Sequence, residues 1–211
     1  MDDKKFNLLD EPWICVMKEN GEVKELSLMD VLLHAHQYRR LAGELPTQDV
    51  AVLRLLLAVL QTVVYRYDTD GNEDELVETE DAYERWKEIW NDGKLPDKPI
   101  QEYLTKWKAR FYLYDSDRPF YQVPKAAIGT ECKAAKLNGE ISESSNKLRL
   151  FSNRAGKEKE FLSNSEAARW LLYLNGYDDT SAKPKEKGLP SPGTGWLGKL
   201  GLILSLIHIS E

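Results

Sequence analysis

Asp68, Asp70 and Asn72 stand at the first, third and fifth positions of a calcium-loop pattern, an array of oxygens suited to a hard cation. Glu73 holds the place that needs glycine for the sharp turn, and Thr79 the place of the bidentate glutamate. The segment therefore reads as a solvated acidic loop. Gly193, Gly198 and Lys199 match most of a phosphate-cradling G-x-x-x-x-G-K loop, and Gly195 adds a G-x-G-x-x-G spacing. Both mechanisms need a buried strand before the loop, whereas AKPKEKGLPSP precedes this one, and Leu200 stands where Ser or Thr would hold magnesium. A loop without nucleotide is the leading reading; a nucleotide-binding enzyme using Gly193–Lys199, or a stand-alone interaction module, is the alternative. His34 and His36, two apart on an expected helix, point about 200° apart and share no metal. Cys15 and Cys132 form no C-x-x-C pair, so neither a zinc set nor a disulfide framework is expected. Asp115 and Asp117 flank Arg118-Pro119-Phe120 and read as turn chemistry rather than paired catalytic carboxylates. No active site, metal or cofactor is expected.

The basic loops carry more. Lys133, Lys136, Lys147, Arg149, Arg154, Lys157 and Lys159 lie in or beside two loops that also hold Gly139 and Gly156, with Glu131, Glu140, Glu143, Glu158 and Glu160 diluting the field. The formal charge of the 211 residues is -6, yet residues 126–211 hold 12 Lys and Arg against 10 Asp and Glu, which leaves -8 for the first 125. Overall charge thus excludes a protein that coats nucleic acid, and a local phosphate contact along a loop stays open in the second portion.

These residues need elements to position them. A chain that is 42% hydrophobic and 30% charged has the usage of a soluble globular domain. The start, MDDKKFNLLDEPWICV, has no long apolar run after its lysines, so no signal peptide or anchor is read and a cytoplasmic location is expected. WICVMKENGEVKEL predicts a hairpin turning on Asn20-Gly21. Ser27 with Asp30 resembles a capping box, and Val31–Leu41 reads as a helix stopped by Gly43. VAVLRLLLAVLQTVVYRY is apolar nearly all round and is expected as the central buried helix; Arg54 and Gln61 argue against a membrane span. Eight acids follow between Asp68 and Asp81. Tyr83, Trp86 and Trp90 are spaced for one helix face, and Tyr103, Leu104 and Trp107 for another, with Pro99 opening the second helix; both stripes are expected in the core. Residues 125–147 read as a long mobile loop, Lys147–Phe151 and Glu158–Leu162 as a hairpin with a basic tip, and Ser163 with Glu166 as the cap of a helix ending at Asn175 before Gly176. The fold class is α+β, with mixed helices and short antiparallel hairpins.

The opening FNLLDEPWICV, the segments LAGELPTQDVAVLRLLLAVL, WKARFYLYDSDRPFYQV, LFSNRAG and TGWLGKLGLI, and their order, resemble the CasA family, the large subunit of the type I-E CRISPR surveillance complex Cascade. The likeness covers Phe6 to about Ile203, so residues 1–203 are read as a CasA-like N-terminal domain that is incomplete at its C-terminus, and residues 204–211 as an unassigned tail. It implies a non-catalytic binding protein. In such a complex base pairing reads the long target while protein inspects the short motif beside it. The partners implied are the other Cascade subunits, the CRISPR guide RNA, double-stranded target DNA and the separate helicase-nuclease, with no membrane. Asn153, Arg154, Ala155, Gly156 and Lys157 resemble the family's glycine loop, whose backbone approaches the minor groove. The family often has a second glycine where this chain has Glu158. Lys133, Lys136 and Lys147 lie in or beside the place of the family's long loop, implicated in contacts to guide RNA and DNA.

Overall fold

A computed structural model describes residues 5–124, 133–140, 152 and 154–177. The opening hairpin pairs β2 (Ile14–Met17) with β3 (Val23–Leu26) in antiparallel register, Ile14 facing Leu26 and Met17 facing Val23. At its turn the Gly21 N–H donates to the Lys18 carbonyl, and Gly21, at φ 84°, takes the left-handed conformation that Asn20 does not. Asn20 instead accepts the Glu22 N–H through its side chain. The turn is therefore carried by one left-handed glycine rather than by an Asn-Gly pair.

Ser27 caps α1 (Leu28–Leu33) as expected, its hydroxyl accepting the Asp30 N–H at 3.1 Å. The helix is shorter than its sequence pattern. It ends at Leu33, a single 3-10 turn follows over Ala35–Gln37, and β4 (Arg40–Leu41) joins the sheet beside β2, giving the order β3-β2-β4. The free edge of β2 captures these residues because a sheet edge offers unpaired backbone groups, which one more helical turn ahead of Gly43 would not satisfy.

The 21-residue α2 (Pro46–Arg66) is long and apolar enough to cross a membrane by length and composition alone. Here it lies across α4 and α6 and buries one face, from Gln48 through Val52, Leu55, Leu56 and Val59 to Val63. Leu53, Leu57 and Tyr65 stay exposed, so the expectation of a fully buried helix holds for one side only. α3 (Thr79–Asp92) departs further, since Tyr83, Trp86 and Trp90 are exposed instead of buried. The residue it buries is Arg85, which donates to the Val64 and Asp74 carbonyls at 2.7 and 2.9 Å and pairs with the Asp74 carboxylate. A guanidinium with three partners is tolerated inside, and that turns the aromatic face outward.

α4 (Asp97–Trp107) begins two residues before Pro99 and buries Pro99, Ile100 and Leu104, while Trp107 remains exposed. β5 (Tyr112–Tyr114) then pairs with β1 (Lys5–Asn7), a two-stranded sheet that sequence reasoning did not anticipate. Asp115 accepts the Asp117 and Arg118 N–H groups, which confirms the turn reading. The core gathers Leu8, Leu9, Trp13, Ile14, Leu28, Val63, Ile100, Leu104 and Leu172. The fully buried indole of Trp13 donates to the Leu8 carbonyl at 2.9 Å, so its polar atom is satisfied where its ring packs. α6 (Asn164–Tyr177) lies along α2, and its Arg169 donates to the Trp13 carbonyl and to Glu25, both at 2.6 Å. Helices flank short antiparallel sheets, the expected α+β class.

Candidate nucleic-acid interface

The loop that sequence singled out is held by charge. Arg154 Nη2 meets both carboxylate oxygens of Glu44 at 2.7 and 2.8 Å and Glu166 at 2.9 Å, and its side chain is only 10% exposed. Each acid is itself positioned. Glu44 accepts the Trp170 indole N–H at 3.0 Å, and it sits where Gln48 and Asp49 reach back to take the Glu44 and Gly43 N–H groups at the uncapped start of α2. Burial pushes the Asp49 carboxyl up, against the Gly43 N–H that lowers it. Glu166 closes the expected capping box, its carboxylate accepting the Ser163 N–H at 2.7 Å while Ser163 Oγ accepts the Glu166 N–H. Burial pushes the Glu166 carboxyl up, but Ser163 and Arg154 outweigh it and hold the group below the usual carboxylate range. α6 runs through Gly176 to Tyr177 rather than stopping before it.

Glu158–Leu162 is not the strand expected there. Residues Gly156–Lys159 make a 3-10 turn instead, entered through Gly156 at φ 51°, and the Glu160 N–H returns to the Lys157 carbonyl. Left-handed backbone at Gly156 and two side chains tied to Glu44 and Glu140 leave no extended edge for pairing. The proposed first strand, Lys147–Phe151, lies outside the described residues, as do Lys147 and Asn153.

The second basic segment is brought against the first. Within the stretch expected as a mobile loop, α5 (Ala134–Leu137) forms a short helix beside α6, burying Ala135. Buried Asn138 donates to the Lys159 carbonyl at 3.3 Å, and buried Glu140 accepts the Ser152 hydroxyl and pairs with Lys159 at 3.6 Å. Lys133, Lys136, Ala155, Gly156 and Lys157 are exposed. Arg154 is not: it anchors the loop and leaves Lys157 as the nearby exposed cation. Sequence reasoning missed Glu44 and Trp170 altogether, and no local signal links Glu44 to an arginine 110 residues away.

Elsewhere, Asp68 closes its own turn by accepting the Asn72 N–H and side-chain amide at 2.7 and 2.8 Å, and Thr69 donates to Glu88. The Gly193–Lys199 loop, Cys132 and the 204–211 tail lie outside the described residues.

The family model for CRISPR-associated protein Cse1 matches residues 7–206. The chain belongs to the Cse1 family. It is 33% identical over 169 residues to the CRISPR-associated protein CasA/Cse1 of Thermus thermophilus, a match covering 80% of this chain and 31% of that relative. The crystal structure of Thermobifida fusca Cse1 superposes with a TM-score of 0.67 at 33% identity, over 92% of this chain and 34% of that one. A chain of a CRISPR RNA-guided surveillance complex shares the fold, with a TM-score of 0.64 at 22% identity over 83% of this chain and 35% of that one. This Cse1 family member thus spans about a third of the length of the relatives it matches.

Proposed function

We propose that this chain is the N-terminal part of a Cascade subunit, non-catalytic, that works beside other Cascade subunits and the guide RNA to inspect double-stranded target DNA for the motif flanking the target. The single observation that carries this is the anchored turn at Gly156-Lys157. Its backbone and one exposed cation stand at the surface while Arg154, buried between two carboxylates, fixes them from behind. A small loop residue lets backbone approach a groove floor, and a lysine beside it neutralises phosphate. Reading through the minor groove, whose donor and acceptor code is degenerate, tolerates several motifs. Exposed Lys133, just before α5, and Lys136 on it add cations for guide RNA or DNA; Lys147 and Asn153 join them by sequence position. Helicase-nuclease recruitment would follow target pairing.

The test is duplex binding by reconstituted Cascade carrying this chain's residues within the longer polypeptide. Motif-dependent affinity that falls in Lys157→Ala supports the reading. Binding that ignores the motif overturns it, and saturable ATP binding lost in Lys199→Ala supports the nucleotide-binding alternative instead.

A further inference from the structure

We infer that the cleft beside the Gly156-Lys157 turn takes up one unpaired DNA base, stacked on Phe161. The inference rests on the DNA-facing reading of that turn and adds the chemistry that would hold a strand there. Phe161 comes two residues after the 3-10 turn Gly156–Lys159, whose rise of about 2 Å per residue keeps its backbone within roughly 15 Å of Gly156. Its ring is 67% exposed and lies outside the core cluster, and among the described residues it stacks on no other ring. Leu162, directly before the Ser163 cap, is half-buried and holds the position of a hydrophobic staple, which leaves Phe161 no packing task at the start of α6.

Phe161 shares the wall of a cleft of about 580 Å³ with Glu44, Arg154, Glu158, Leu162, Glu166 and Arg169, a volume inside the about 300–1,000 Å³ range of small-ligand sites. Glu44 and Glu166 are spent on Arg154, whereas the exposed Glu158 carboxylate meets no cation among the described residues. Arg169 is 5% exposed, and its buried Nε has no hydrogen-bond partner among the described residues. The cleft therefore offers an aromatic face, an apolar neighbour, one buried donor and one free carboxylate. A phosphate is repelled by that carboxylate and finds Lys157 outside instead. A neutral base suits all four features: its π face stacks on the phenyl ring, a ring nitrogen or carbonyl accepts from Arg169, and an exocyclic amino group donates to Glu158. Adenine, cytosine and guanine carry such an amino group, and thymine does not. Extruding a base costs least where the strand is already single, so the base comes from DNA opened by guide pairing.

Reconstituted Cascade carrying this chain's residues within the longer polypeptide tests the inference, on target DNA with 5-iododeoxycytidine at successive positions beside the motif and, separately, on guide RNA with 5-iodocytidine. Long-wave ultraviolet light should crosslink one DNA position to the Phe161 peptide, and the crosslink should vanish in Phe161→Leu. Phe161→Ala should weaken target binding about tenfold, with the slope against salt unchanged because no phosphate contact is lost. Thymine at the crosslinked position, its complement changed to match, should bind more weakly than cytosine, and Glu158→Ala should erase that difference. Phe161 and Glu158 lie on exposed surface, and thermal melts check that the variants fold. Unchanged affinity in Phe161→Ala, a crosslink to guide RNA alone or at no position, equal binding of thymine and cytosine, or a salt slope that falls would each overturn the inference. So would a photo-crosslinker at position 161 that captures polypeptide and no DNA. Lys157→Ala separates the two readings. If it weakens motif-dependent binding while Phe161→Ala does not, the base cleft fails and the DNA-facing turn stands; if neither the motif nor Lys157 matters, the DNA reading fails and the base cleft with it.

Discussion

Arg154 and Lys157 sit three residues apart on one loop, yet their charges do different work. Lys157 is exposed, so Lys157→Ala should weaken duplex binding and lower the slope of log affinity against log salt by about one, the signature of one lost phosphate contact. Arg154 is committed to Glu44 and Glu166. Arg154→Lys keeps the charge but cannot span both carboxylates, so affinity should fall with the slope unchanged, and a slope that drops as in Lys157→Ala would place Arg154 on DNA after all. The same clasp has a pH signature. Glu166 is held below its ordinary value of 4.5, so the stability it confers is complete above that value and is lost as pH falls through the lowered value in the folded state. Thermal melts across that range should show Glu166→Gln less stable than the parent near neutral pH, with the gap narrowing in acid. Burial, reinforced by Glu25 and only partly offset by Arg169, pushes the Cys15 thiol up to about 11 from 9.0, roughly a hundredfold smaller thiolate fraction at neutral pH. Alkylation read on the Cys15 peptide should therefore be slow in the native chain and fast in denaturant.

At the scale of elements, α6 is tied to the opening hairpin by one buried side chain, Arg169, which satisfies the Trp13 carbonyl and Glu25. Arg169→Ala leaves that carbonyl unpaired inside and should cost about 3 kcal/mol in chemical denaturation, against near neutrality for an exposed cation such as Lys87. What sequence made legible follows a physical division. The β2–β3 hairpin, the Ser27 and Ser163 caps and the existence of α2, α3, α4 and α6 rest on neighbours in the chain, and these were readable. β4 and the β1–β5 pair rest on an edge supplied from elsewhere, and the aromatic face of α3 was misread because periodicity reports which residues share a face, not which way it turns. Buried Arg85 set that direction. The candidate site divides likewise: Gly156 and Lys157 stood out by residue type, whereas the Glu44 and Trp170 contacts that hold Arg154 are long-range.

Across the whole molecule the charge is uneven, with eleven acids between residues 68 and 92, and exposed lysines at α5 and beside Gly156 interleaved with Glu158 and Glu160. The acidic stretch repels itself, so moderate salt should raise the melting temperature of the chain by screening, and a steady fall would show that its surface ion pairs outweigh that repulsion. The β1–β5 ladder has a further consequence, in time rather than space. Lys5 pairs with Tyr114 and Asn7 with Tyr112, so more than 100 residues must leave the ribosome before the first strand finds its mate. At about 5–20 residues per second that wait lasts roughly 5–20 s. During that wait Phe6 and Asn7 lack their partner strand, whereas the Leu8 carbonyl already has its donors, the Trp13 indole and the Leu28 N–H, in the same early segment.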